Sequence, residues 1–114
     1  MTSKLGVPLI VTPGEPAGIG AEITIKAWQH LRGDGGHSFA LLGDAAHVAA
    51  VARTAHLPCE IAVVATLAEA RQCFASKLPV FNRPLPSAIS LGTFSPTTAN
   101  WVTACIEEAV DICL

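Results

Sequence analysis

The sequence predicts an α/β protein built on a parallel, doubly wound sheet. Three observations carry that expectation. An apolar run, Leu9-Ile10-Val11, breaks into a turn rich in proline and glycine and then into a helical pattern. Short apolar stretches alternate with helical ones along the rest of the chain, the order of βαβ units joined by right-handed crossovers. The apolar stretches are almost unbroken, as in strands covered on both faces.

The first strand is expected over Val7 to Val11, buried on both sides. Pro13 and Pro16 lack an amide donor, so the strand cannot run through them. Gly14, Gly18 and Gly20 lie in the turn that follows, where glycine permits positive φ and close approach of a ligand or another backbone. The first helix is expected over Ala21 to Leu31, with Ile23, Ala27 and Leu31 on the core face and Glu22, Lys26 and Gln29 opposite. Glu22 and Lys26 form a favourable i,i+4 pair, and Gly33-Asp34-Gly35-Gly36 ends the helix.

Phe39-Ala40-Leu41-Leu42 reads as the second strand, and Asp44 as the N-cap of a helix from Ala45 to Ala55. A third strand, Ile61 to Val64, leads to a short helix from Leu67 to Ala75 capped by Thr66. Leu78 to Phe81 reads as a fourth strand, and Asn82 to Ile89, with Pro84 and Pro86, as loop or edge. Ser95-Pro96 supplies an N-cap and a proline at the first helical position of a last helix running to the end. Its polar stripe is Asn100, Thr103, Glu107 and Asp111, with Glu108 at the margin; Trp101, Cys105, Ala109 and Ile112 face the core.

With 114 residues the chain has room for one domain and not two. Half of it, 51%, is hydrophobic, 14% is charged, and mean hydropathy is +0.49. A free-standing small domain carries more surface charge than this, so another segment or subunit is expected to cover part of it. Net charge is −2 with scattered basic residues, which leaves no electrostatic footprint for nucleic acid. No stretch has the roughly 20 apolar residues of a membrane span, and Met1 to Val11 is no signal peptide, so no membrane partner and a cytoplasmic location are expected. Cys59, Cys73, Cys105 and Cys113 show neither C-x-x-C nor zinc-like spacing and read as free thiols.

Standard phosphate motifs are not spelled out. A dinucleotide fingerprint beginning at Gly18 needs glycine where the chain has Ile23, and a P-loop beginning at Gly14 needs glycine where it has Ile19. The wording V-T-P-G-E-P-A-G-I-G-A-E, Val11 to Glu22, resembles instead the N-terminal signature of the 4-hydroxythreonine-4-phosphate dehydrogenase family. That family is itself similar to the isocitrate and isopropylmalate dehydrogenases. Leu41-Leu42-Gly43-Asp44 and Gly92 to Leu114 agree with it too, while Ala21 stands where many relatives carry proline. The resemblance implies that residues 1–114 are the N-terminal α/β segment of a larger two-domain dehydrogenase, an incomplete sheet that the rest of the polypeptide extends. By itself such a segment is expected to aggregate or unfold in part.

The resemblance also implies the chemistry. NAD or NADP takes hydride from the secondary alcohol of a small phosphorylated hydroxy-amino acid, and the 3-oxo acid loses carbon dioxide with help from a divalent metal (Zn, Mg or Co). The enzyme is expected to be a homodimer acting in pyridoxal phosphate biosynthesis; relatives act on other 4-phosphorylated acids and on dihydrodiols. The metal histidines lie in parts of the family with no counterpart here, so no catalytic or metal residue is assigned. His30, His37, His47 and His56 form no i,i+4 pair and read as surface or helix-end residues. Glu107, Glu108 and Asp111 read as a solvated helix face, and Trp28 and Trp101 as packing residues. The candidates that remain are Gly14, Glu15, Gly18 and Gly20, a loop that by resemblance lines the cofactor cleft. The competing expectation is a non-catalytic α/β module that binds a partner or a small anion.

Overall fold

The computed structural model describes residues 9–12, 19–33, 36–86 and 96–113. Eight elements alternate along them: β1 (Leu9–Val11), α1 (Gly20–Leu31), β2 (Phe39–Gly43), α2 (Ala45–Thr54), β3 (Ile61–Val63), α3 (Leu67–Cys73), β4 (Leu78–Asn82) and α4 (Pro96–Cys113). All strand pairs are parallel, in the order β1-β2-β4-β3. Alternate residues of β2 point to opposite faces. Phe39 and Leu41 pack with Ile25 and Trp28 of α1 and Val48 and Ala52 of α2. Ala40 and Leu42 pack with Ala70 of α3 and Cys105 and Ala109 of α4. Two helices on each face make the sheet doubly wound, as its sequence implies.

The central strands are the ones buried on both faces. Every residue of β2 is buried, whereas β1, expected to be covered on both sides, is an edge strand with Leu9 70% exposed. An apolar run shows that a strand can be buried but not where it sits in the sheet. The sequence also leaves open that β4 inserts between β2 and β3.

Helix ends follow local chemistry. Asp44 caps α2 by accepting the His47 amide at 3.0 Å. Thr66 and Glu69 close a capping box at α3. His56, with φ of 56°, terminates α2 in the left-handed region, and its amide returns to the Arg53 carbonyl. Glu22 and Lys26 pair at 3.0 Å on the surface of α1.

The core face of α1 is not the expected one. Thr24, Ile25 and Trp28 are buried, while Ile23 is 55% and Leu31 37% exposed. Trp28 explains the rotation: its ring fills the core and its Nε1 donates to the Phe74 carbonyl at 2.7 Å, while the Arg32 guanidinium lies over the ring. Thr24 is tolerated inside because its hydroxyl donates to the Gly20 carbonyl at 2.8 Å. Along α4 the expected face holds: Cys105 and Ala109 are buried, Trp101 and Ile112 half-buried.

Candidate functional site

In a parallel sheet, ligands are received at the carboxyl ends of the strands, where neighbouring strands send their connections to opposite faces. Here that point lies between β2 and β4, because α2 and α4 pack on opposite faces. The two segments leaving these strands are joined. The Arg83 amide donates to the Gly43 carbonyl at 2.7 Å. The Ala45 amide donates to Asn82 Oδ1 at 2.9 Å, and the Leu85 amide to Asp44 Oδ2 at 2.7 Å. Asp44 therefore caps α2 with one oxygen and holds the segment after β4 with the other.

These contacts occupy the first turn of α2, which is why it does not present free amides to an anion. The first turn of α1 differs. Its N-cap, Ile19, is 71% exposed and offers no capping side chain, so the positive end of that helix is left without a neutralising side chain from its own cap. Between the two helix starts lies a cavity of about 20 Å³, room for about one water molecule. Ala21, Thr24, Asp44, His47, Val48 and Trp101 line it. His47 Nε2 is shut from solvent and makes no hydrogen bond in the structure.

Of the four loop residues singled out from the sequence, Gly14, Glu15 and Gly18 lie outside the described residues. Gly20 is the first residue of α1 and half-buried, one residue before the cavity wall at Ala21. His30, His37 and His56 are exposed, as expected, but His47 is half-buried against the cavity. Its position follows from Asp44 capping the helix, a signal the sequence did contain.

Glu108 also departs from the expected solvated face. Arg83 Nε donates to both its carboxylate oxygens at 2.7 Å, and Nη2 completes the pair; Glu107 and Asp111 are exposed. Trp101 Nε1 donates to the Arg83 carbonyl at 3.2 Å, so side-chain and main-chain contacts both tie α4 to the segment after β4. The hydrogen bond from Arg83 holds the Glu108 carboxyl below its ordinary range, against a smaller opposing effect of burial. The folded value lies below the unfolded one, so the pair contributes stability above the ordinary carboxylate pKa and loses it as pH falls through the lowered value. The Trp101 indole proton is expected to report this as an acid titration in the NMR spectrum. In Glu108→Gln that titration should vanish; if it persists unchanged, another group loosens α4.

All four cysteines are free, with Cys105 buried, Cys59 and Cys73 half-buried and Cys113 exposed. Burial raises the thiol pKa of Cys59, Cys73 and Cys105, which keeps them protonated. Among the described residues no three His, Cys, Asp or Glu side chains come together to hold a metal. These residues do not fit the divalent ion implied by the resemblance. The cavity is likewise too small for a nicotinamide ring, and the first turn of α1 carries the acidic Glu22. No described helix is long and apolar enough to cross a membrane.

Fold and crevice together define a doubly wound α/β unit with a four-stranded parallel sheet. The same fold occurs in the 4-hydroxythreonine-4-phosphate dehydrogenase of Burkholderia phymatum, with a TM-score of 0.79 at 23% identity over 92% of this chain. The Klebsiella pneumoniae enzyme aligns with a TM-score of 0.74 at 25% identity over 91%. No family model matches the chain. Curated relatives do: the 4-hydroxythreonine-4-phosphate dehydrogenase of Caulobacter vibrioides is 38% identical across the whole chain, and that of Methylorubrum populi 37% across 92% of it. The chain is thus homologous along its length to one segment of the 4-hydroxythreonine-4-phosphate dehydrogenases. It spans about a third of those enzymes, 32% and 30% respectively.

Proposed function

We propose that the chain is the N-terminal α/β segment of an NAD- or NADP-dependent 4-hydroxythreonine-4-phosphate dehydrogenase of pyridoxal phosphate biosynthesis. The observation that carries this is the 38% identity over all 114 residues to an enzyme of that name. In the proposed reaction, the secondary alcohol of 4-phosphohydroxy-L-threonine gives a hydride to the nicotinamide and a proton to solvent. The 3-oxo acid then loses carbon dioxide. A divalent metal of the complete enzyme supplies Lewis-acid polarisation, held by residues outside this segment.

This segment's share is binding and position. The resemblance supports a loop from Gly14 to Gly20 that lines the cofactor cleft, leading into α1, whose N-cap Ile19 offers no capping side chain. The ties among Asp44, Asn82 and Arg83 keep the crevice floor rigid beneath it. The complete enzyme acts as a homodimer in the cytoplasm.

Two experiments bear on this division of labour. The isolated chain is expected to produce no NADH or NADPH with substrate and metal; steady turnover by a single purified species would show that the chemistry lies within it. Exchanged for the matching segment of the Caulobacter enzyme, the chain should restore pyridoxine-independent growth to a strain lacking the dehydrogenase. A folded but non-complementing exchange enzyme would count against the reading.

A further inference from the structure

Among the described residues two buried side-chain atoms make no hydrogen bond, Ser38 Oγ and His47 Nε2. Leaving such an atom unpaired is costly, so each calls for a partner. Ser38 precedes β2, at the end of the strand away from the crevice. His47 stands in the wall of the cavity between the starts of α1 and α2. Local chemistry puts it there: Asp44 Oδ1 accepts the His47 amide at 3.0 Å and fixes the residue in the first turn of α2.

The residues around it offer acceptors, while their side-chain donors are already engaged. Thr24 gives its hydroxyl proton to the Gly20 carbonyl at 2.8 Å and keeps its lone pairs. Trp101 gives its indole proton to the Arg83 carbonyl at 3.2 Å. The Gly43 carbonyl takes the Arg83 amide at 2.7 Å and has a second lone pair. An occupant must therefore accept from His47, donate to the other side, and fit about 20 Å³. Water meets all three conditions, since a site needs roughly 10–15 Å³ of such volume to hold one molecule. A small anion would meet the Asp44 carboxylate in the same wall. A metal ion would find no group of three His, Cys, Asp or Glu among the described residues.

We infer that this cavity is a binding site for one water molecule, which accepts a hydrogen bond from His47 Nε2–H and donates to Thr24 Oγ1 and the Gly43 carbonyl. The acceptors take both protons of the water, so the proton directed at its own lone pair comes from His47. Thr24 belongs to α1, His47 to α2, and Gly43 ends β2, so the water joins two helix starts to the end of a central strand. The site does not depend on the proposed reaction, and its test reads no activity.

A crystal structure of the Caulobacter exchange enzyme and the nitrogen NMR signals of its histidine rings decide it. One ordered solvent peak is expected within about 3 Å of His47 Nε2. The Nε2 signal, identified by its loss in His47→Leu, should be that of a protonated nitrogen. In the His47→Leu crystal the solvent peak should disappear, because its donor is gone, while Thr24 still bonds to Gly20. The inference is overturned if a protein atom, from the turn before Ile19 or elsewhere, stands against Nε2. A cavity without solvent around an ordered His47, an unprotonated Nε2, or a solvent peak unchanged in His47→Leu overturns it equally. Should crystals not form, cross-relaxation between the His47 ring protons and a long-lived water should be present in the wild type and lost in His47→Leu; its absence from the wild type overturns the inference.

Discussion

Trp28→Ala is expected to remove most of the chain's stability. The side chain is 1% exposed and sits among Ile25, Phe39 and Val48 in the larger core. Truncating a buried Trp costs about 3–5 kcal/mol, against a typical domain margin of about 5–15 kcal/mol. The substitution also removes the donor to the Phe74 carbonyl. Trp28→Phe separates the two effects, because it keeps much of the ring volume and still strips the donor. That loss alone costs ~1–3 kcal/mol. Urea midpoints should fall in the order wild type, Trp28→Phe, Trp28→Ala. A Trp28→Ala midpoint close to that of the wild type would mean that α1 is not packed as described.

Asp44→Ala should have the next largest effect, because it breaks two bonds in different directions. Loss of an N-cap costs about 0.5–2 kcal/mol, and leaving the half-buried Leu85 amide unpaired costs about as much again. The signature is local. The Leu85 and His47 amides should exchange faster in Asp44→Ala, while amides of α3, whose capping box is separate, should lose protection only in step with global stability. Equal losses everywhere, or none at Leu85, would remove Asp44 from its role between the two segments.

Local chemistry was legible from the sequence, and long-range pairing was not. Asp44 and Thr66 announced their helices because a cap is a matter of three residues. The core face of α4 was legible because Trp101, Cys105, Ala109 and Ile112 outweigh their neighbours. α1 misled because Ile23, Ala27 and Leu31 repeat every four residues just as a core face does. Only the tertiary fit of Trp28, and a threonine that satisfies its own hydroxyl, turned the helix away from Ile23 and Leu31, while Ala27 stays packed at the edge of the core. The Arg83–Glu108 pair and the Asn82 contact to α2 depend on β4 lying beside β2. Sequence order alone does not say which strand lies there. The buried nitrogen of His47 was hidden for the same reason, since the wall facing it includes Trp101, far along the chain.

Purified exchange enzyme, in which this chain replaces the matching third of the Caulobacter dehydrogenase, provides the most direct measurement. NADH or NADPH formation with 4-phosphohydroxy-L-threonine and divalent metal should stay within about tenfold of the parent rate, equivalent to ~1.4 kcal/mol in the barrier. A folded exchange enzyme that binds neither cofactor nor substrate, or binds both and turns over nothing, would contradict the assignment of this chain as a working segment of that dehydrogenase.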